Sequence, residues 1–165
     1  VINNDDRYCA GDPNHDFYYG LNLKLSYKNW DFGFNGHGSI GYKVFNDFAS
    51  NHSTAYFDVN AGNLPNFATA VKRTGFTQIS GDYQFFSDFY LENASFFRMD
   101  DINLGYTFKE IGNWQGNIRV AASCQNVFVI TNYSGIDPEI NSTDGVDRTF
   151  WPRPRTFSLR LNVNF

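Results

Sequence analysis

The run Thr156-Phe-Ser-Leu-Arg-Leu-Asn-Val-Asn-Phe165 alternates polar and apolar residues without a break. Successive side chains of an extended strand point to opposite faces. Phe157, Leu159, Leu161, Val163 and Phe165 therefore share one face, and Thr156, Ser158, Arg160, Asn162 and Asn164 share the other. A sheet built from such strands must keep one wholly apolar surface out of water. A soluble sandwich does so with a second sheet, and a transmembrane barrel does so with lipid.

Composition separates the two. Of 165 residues, 19% are aromatic, with 18 Phe, 10 Tyr and a single Met, so an aliphatic core is not what is being built. A sandwich buries that many Phe only with a second set of strands. No apolar run reaches the ~20 residues of a transmembrane helix. A membrane barrel needs none, because only alternate residues meet lipid while Phe, Tyr and Trp gather at the interfaces.

The net charge of -4 and the scattered basic residues exclude a nucleic-acid footprint and a polybasic patch. Cys9 and Cys124 lie far apart without metal-type spacing and are read as unrelated, a disulfide being the alternative. Val1 to Arg7 has neither the basic nor the apolar region of a secretory signal, so a processed chain or a fragment is expected.

Alternation predicts five strands. The first covers about 17 to 28, with Phe17, Tyr19, Leu21, Leu23, Leu25 and Tyr27 on one face. After a turn at Asn29, the second covers about 30 to 43, with Trp30, Phe32, Phe34, Ile40 and Tyr42 in phase and Gly36 and Gly38 between them. The third covers about 95 to 108; Ile102, Leu104, Tyr106 and Phe108 alternate, but Phe97 and Met99 lie in the opposite phase. A bulge near Asp100-Asp101 would reconcile them. The fourth covers about 117 to 130, with Ile118, Val120, Ala122, Cys124, Phe128 and Ile130 in phase and Asn126 interrupting. The fifth is the closing run.

The connections alternate between short turns and long excursions, about 44 to 94 and about 132 to 154, which read as loops rather than a packed domain. Short periplasmic turns and long extracellular loops are the asymmetry of bacterial outer-membrane barrels. Tyr27, Trp30, Tyr106 and Phe108 then fall near one membrane interface, and Tyr19, Tyr42, Phe96 and Phe128 near the other. Five strands do not close such a barrel, which needs at least about eight. An open sheet in lipid leaves unpaired amides, so other polypeptide is expected to supply the rest of the wall.

Gly11-Asp-Pro-Asn14 leading into Phe17-Tyr-Tyr-Gly20 and Leu25-Ser-Tyr-Lys-Asn-Trp-Asp31 opens a series of motifs. Phe97-Arg-Met-Asp-Asp-Ile-Asn-Leu-Gly-Tyr-Thr-Phe108, Ser123-Cys-Gln-Asn-Val-Phe128, Tyr133-Ser-Gly-Ile-Asp-Pro-Glu139 and Trp151-Pro-Arg-Pro-Arg-Thr-Phe157 continue it. In order and spacing, over nearly the whole chain, the series resembles the carboxy-terminal end of SusC/RagA-type TonB-linked outer-membrane transporters of the Bacteroidetes. The resemblance implies an all-β fold, the last five or so strands of a 22-stranded antiparallel transmembrane barrel with a lumenal plug. It further implies nutrient import of oligosaccharides or peptides with a SusD-like surface lipoprotein as lid, driven by the TonB system. The plug, the TonB-contacting box and the preceding strands would lie outside this sequence. A non-transporting scaffold barrel, or a siderophore or cobalamin receptor lacking the lipoprotein, are the alternatives.

No nucleophile elbow or phosphate loop is present, and His15, His37 and His52 have no partner arrangement evident in sequence, so no enzymatic activity and no cofactor are expected. Asp137, Glu139, Asp144 and Asp147 are oxygen donors that could gather around calcium, although their spacing is not that of an EF-hand. Phe165, with Leu161 and Val163, looks like the signal read by barrel-assembly machinery. Tyr56, Phe57, Phe67, Phe86 and Tyr90 on the long loop, and Arg153 and Arg155 between Pro152, Pro154 and the last strand, are the candidates for lid or partner contact.

Overall fold

A computed structural model of the chain describes residues 5, 7–55, 69–77, 87–112, 114–140, 144–148 and 151–165. In chain order its strands are β1 Phe17–Tyr27, β2 Trp30–Ile40, β3 Lys43–Asn46, β4 Thr54–Ala55, β5 Phe76–Thr77, β6 Leu91–Asn93, β7 Phe96–Ile111, β8 Trp114–Thr131, β9 Val146–Asp147 and β10 Thr156–Asn164. Two short helices, α1 Asp47–His52 and α2 Ala70–Thr74, lie between β3 and β5. The chain divides into two compact units.

One unit comprises 16–40, 95–131 and 152–165. It is a five-stranded sheet in the order β1-β2-β7-β8-β10, antiparallel throughout. Lys28 and Asn29 make the two-residue turn from β1 to β2, and Gly112, at φ +65, turns β7 into β8. The first is the turn expected at Asn29; the second is tighter than the gap expected between about 108 and 117, because β7 runs on to Ile111 and β8 starts at Trp114. The long connection from β2 to β7 leaves and returns at the opposite end of the sheet, where Phe17 pairs with Ile40, Ser39 with Phe96, and Phe96 with Thr131; the one after β8 leaves there, and β10 takes up its pairing further in, at Thr156 opposite Gln125.

Pairing register turns sequence alternation into two surfaces. Residues directly opposite one another share a face, and three successive rows run across all five strands: Leu23–Phe34–Ile102–Cys124–Phe157, Leu25–Phe32–Leu104–Ala122–Leu159, and Tyr27–Trp30–Tyr106–Val120–Leu161. Every member is apolar. The interleaved rows, Asn22–Asn35–Asp101–Gln125–Thr156, Lys24–Gly33–Asn103–Ser123–Ser158 and Ser26–Asp31–Gly105–Ala121–Arg160, are polar or small throughout.

The expected bulge is present. Asn35 pairs with Asp101 and the next residue, Gly36, with Met99, so Asp100 is the extra residue on β7. The ladder to β8 shifts at the same place, from Asp101↔Gln125 to Met99↔Phe128, with Asn126 at φ +51. The inserted residue reverses the phase of β7. Phe97 and Met99 thereby join the apolar face, in the rows Tyr19–Gly38–Phe97–Ile130 and Leu21–Gly36–Met99–Phe128. Gly36 and Gly38 face these side chains for a steric reason: a Cβ on Gly36 would press on the Phe97 ring and the Arg98 carbonyl, and one on Gly38 on the Tyr19 ring and the Phe96 carbonyl. The Tyr19 and Phe97 rings stack 6.2 Å apart, aromatic cover for glycines of the kind that pins register.

The second strand ends at Ile40 rather than at residue 43, because Gly41 adopts φ +85 and breaks it. The described residues of the other unit, drawn from 1–15, 41–94 and 132–151, correct the reading of these excursions as unpacked loops. Central β3 pairs antiparallel with β6 and parallel with β9. Asn46 caps α1 by accepting from the Ala49 amide at 2.9 Å. The core consists of Tyr42, Val44, Tyr90, Ala94, Tyr133 and Pro138. A tyrosine core is workable only if its hydroxyls find partners. Here Tyr42 donates to the Pro138 carbonyl at 2.6 Å, Tyr90 pairs with the Ser53 hydroxyl at 2.7 Å, and Tyr133 donates to Asp147 at 2.7 Å.

Candidate functional site

The polar face of the five-stranded sheet carries the densest side-chain chemistry. Asp31 on β2 and Arg119 on β8 meet across the intervening β7, with Arg119 Nε 3.0 Å and Nη2 2.8 Å from the two carboxylate oxygens. The forked geometry matches a guanidinium to a carboxylate. The pair passes over Gly105, where an added Cβ would collide with Asp31 and Arg119. Glycine is required there by close approach rather than by backbone conformation. Sequence reasoning missed this pair, since 88 residues separate its members.

The bulge builds a second cluster. Because the phase reverses at Asp100, Arg98 faces the polar side, where it is 3% exposed and donates to Asn126 Oδ1 at 2.8 Å. Asn126 in turn donates from Nδ2 to the Arg153 carbonyl at 2.6 Å. His37 Nδ1 lies 2.6 Å from Asp100. No partner for His37 is evident in the sequence; the structure supplies one in Asp100, the extra residue of the bulge. The paired Asp100-Asp101 and the misfit of Asn126 in its alternation were the sequence signals. Ser39, on the same face, donates its hydroxyl to the Phe17 carbonyl at 3.4 Å.

On the apolar face, Trp30 and Tyr106 meet edge to face at 4.7 Å, as do Tyr106 and Phe108, and Tyr27 completes the row. This is the first predicted aromatic belt. The second belt differs in membership: Phe17, Tyr19, Phe97 and Phe128 form it. Phe96 is buried on the polar face because of the phase reversal, and Tyr42 belongs to the core of the other unit. From Tyr19 to Tyr27 is about 27 Å of strand at ~3.4 Å per residue, or ~20 Å of depth at a tilt of ~40°. That depth is close to the ~25 Å apolar band of an outer-membrane barrel. Phe157, Leu159, Leu161 and Val163 extend this exposed face along β10, and Phe165 follows it fully exposed. Cys124 sits within the apolar face and Cys9 in the other unit, both as free thiols.

The residues named as lid contacts fare unevenly. Tyr90 is 2% exposed with its hydroxyl bonded to Ser53, so it is a core residue rather than a surface anchor. Tyr56, Phe57, Phe67 and Phe86 lie outside the described residues. Arg153 and Arg155 are exposed. Three of the four calcium candidates are separately engaged: Asp137 accepts from the Glu139 amide at 2.9 Å, Asp144 pairs with Arg148 at 2.6 Å, and Asp147, 4% exposed, accepts from Tyr133. Among the described residues no group of three metal-ligating side chains comes together.

Burial, then the hydrogen bond to Asp147, pushes the Tyr133 hydroxyl far above its ordinary range. Asp144 raises Arg148 through its hydrogen bond and charge. Burial lowers His15, whose ring lies 3.8 Å from that of Tyr42, against a smaller opposing effect of Glu139. Glu92 organises a further network, accepting from the Ser134 hydroxyl at 2.6 Å, the Ser134 amide at 2.7 Å and Asn46 Nδ2 at 3.0 Å.

An antiparallel sheet with one apolar face ringed by aromatics and one hydrogen-bonding, charge-paired face is a section of the wall of a transmembrane β-barrel. No family model matches the chain. It is 38% identical, over its whole length, to the TonB-dependent receptor SusC of Bacteroides thetaiotaomicron, of which it covers 17%. It is 29% identical over 99% of its length to TonB-dependent receptor P3 of Formosa agariphila, covering 18% of that protein. Among solved structures, it superposes on the RagAB peptide importer in its closed-closed state with a TM-score of 0.67, at 17% identity, over 100% of this chain and 20% of that one. On the RagAB peptide transporter the TM-score is 0.65 over 88% of this chain and 17% of that one. The chain belongs to the SusC/RagA family of TonB-dependent receptors, as a carboxy-terminal segment of the barrel, and spans less than a fifth of the length of the curated relatives it matches.

Proposed function

We propose that this chain forms part of the wall of an outer-membrane importer that takes up oligosaccharides or peptides under TonB drive, together with a SusD-like lipoprotein. The observation that carries the reading is the two-faced sheet, apolar row against polar row across five strands, in a chain of SusC kinship. The polar face lines the aqueous interior and the apolar face meets lipid. The short turns at Lys28-Asn29 and Gly112 lie on the periplasmic side, and the long connections lie outside the cell, where partner contact takes place. The remainder of the receptor supplies the plug and the TonB-contacting segment. The role is binding and passage, without catalysis.

Phe165, Leu161 and Val163 are assigned to recognition by the barrel-assembly machinery. Replacing Phe165 with Asp is expected to lower outer-membrane abundance, and unchanged abundance would refute that role. Deleting the complete receptor gene and growing the host on defined oligosaccharides and peptides tests the import reading. Purification of the tagged receptor reports its partners. Loss of growth on one nutrient class and recovery of a surface lipoprotein are expected. Normal growth on all of them, with secretion or assembly factors recovered instead, supports the scaffold; a defect rescued by iron or cobalamin, with no lipoprotein, supports the other receptor class.

A further inference from the structure

The Gly11-Asp-Pro-Asn14 motif takes no part in the two-faced sheet. It belongs to a strap, residues 10–13, held against β3: the Asp12 carbonyl accepts from the Lys43 amide at 3.0 Å, and the Ala10 carbonyl accepts from Lys43 Nζ at 3.1 Å. Glycine is needed at two points along it. A Cβ on Gly11 would press on the Lys43 and Leu91 side chains, and one on Gly145, itself at φ +67, would strike the Pro13 ring. The Gly145 carbonyl accepts in turn from the Phe45 amide at 2.9 Å. The strap is therefore a fixed wall.

That wall borders an open pocket of about 220 Å³, whose other sides are Lys43, Phe45, Ser87, Asp88, Leu91 and Asp144. Drug-sized ligands occupy ~300–1,000 Å³, so this one has room for a single small ring. Its charges cancel. The Lys43 ammonium offsets the Asp88 carboxylate, and Asp144 is paired with Arg148 at 2.6 Å. A neutral occupant suits such a site better than an ion. A metal is further disfavoured by the ammonium in the wall, and among the described residues no group of three metal-ligating side chains comes together.

The hydrogen-bonding capacity is large. Asp88 accepts from the Tyr8 hydroxyl and, at 3.4 Å, from the Ser87 hydroxyl. A carboxylate offers about four acceptor sites and an ammonium three donors. Asp88 and Lys43 thus keep acceptor and donor capacity toward a ligand, beside the apolar surfaces of Phe45 and Leu91. A ring that carries several hydroxyls and one carbon–hydrogen face matches this combination.

We propose that the pocket holds one neutral sugar ring, its hydroxyls donating to Asp88 and Asp144 and accepting from Lys43, with its carbon–hydrogen face on Phe45 and Leu91. The inference rests on the reading of the long connections as extracellular parts of an importer. It gives them a saccharide contact of their own.

The test uses the complete receptor, purified in lauryldimethylamine oxide, a detergent without a sugar headgroup. Saturation-transfer NMR is recorded with the methyl glycosides of glucose, galactose and mannose, and with glucosamine, glucuronate and triglycine. Transfer to at least one neutral glycoside is expected, in preference to the charged probes. Ala10→Phe fills the pocket from the strap and abolishes it. Lys43→Met weakens it about tenfold or more, the value of one hydrogen bond to a charged group. Both variants are checked for folding by heat-dependent electrophoretic mobility. Unchanged transfer in folded Ala10→Phe overturns the site, and preference for glucosamine, glucuronate or triglycine overturns the ligand class. Labelling of the exposed Cys9 thiol on intact cells by a membrane-impermeant maleimide, with Cys9→Ser as control, is scored separately. Labelled receptor that binds no neutral glycoside refutes the pocket alone, whereas absence of labelling refutes the extracellular placement beneath it.

Discussion

A lysine scan down β7 interrogates the two faces directly. Ile102 lies in the row midway between the aromatic belts, Leu104 one row nearer the Trp30–Tyr106 belt, and Tyr106 within that belt. Successive rows are two residues apart, ~6.8 Å of strand, which at a tilt of ~40° is about 5 Å of depth. Lysine on the lipid face costs about 2–4 kcal/mol at the midplane and about 0–1 kcal/mol near the interface. At ~1.4 kcal/mol per tenfold, Ile102→Lys is expected to lower the folding equilibrium by about 30- to 1,000-fold, with Leu104→Lys intermediate and Tyr106→Lys least affected by charge. Asn103→Lys, between them in sequence, puts the same charge on the polar face and should change stability little. The assay is urea unfolding of the complete receptor in bilayers, followed by the heat-dependent electrophoretic mobility of the folded barrel. Equal losses for Ile102→Lys and Asn103→Lys, or a charge penalty that does not fall toward Tyr106, would refute the assignment of faces.

Other consequences are local. Gly105→Ala drives a methyl group into the Asp31–Arg119 pair, and overpacking of this kind costs about 1–3 kcal/mol; a smaller loss in an Asp31→Ala background, measured by the same unfolding, distinguishes collision with the pair from a general intolerance of the site. Tyr133→Phe removes the hydroxyl donor to buried Asp147 and should destabilise by about 1–3 kcal/mol, read as greater protease sensitivity of the 132–151 connection. His15 is held below its ordinary value of 6.5 by burial, so the unfolded state binds the proton more tightly. Its contribution is present above pH 6.5 and lost as pH falls through the lower folded value. A melting temperature that declines on acidification in the wild type, and less so in His15→Phe, is expected; equal declines would dissociate His15 from the effect.

Alternation made the sheet legible because lipid-facing strands declare their face at every second residue. Even the bulge was readable, since Phe97 and Met99 contradicted Ile102 and Leu104 unless one residue was extra. What alternation does not carry is contact between strands distant in sequence. Nothing local marks Gly105 as the floor beneath an ion pair, or Asp100 as the partner of His37. The other unit was harder for a different reason. Its described strands are two to four residues long and its helices five and six, too short for either period to register. Its core is built on tyrosines, which in a sequence look like interface residues. Tyr42 and Tyr90 were therefore assigned to surfaces, whereas their hydroxyls are bonded inside.

Asp100 gives β7 two reading frames. From Asp101 onward, even-numbered residues belong to the oil; before the insertion, odd-numbered ones do. What a side chain meets on this strand is thus decided by a count of residues as much as by its own chemistry. Deleting one residue would carry the Arg98 charge to the membrane side and turn Phe97 and Met99 toward water, with no other letter of the sequence changed. Along this strand, a length change is a more drastic edit than almost any substitution.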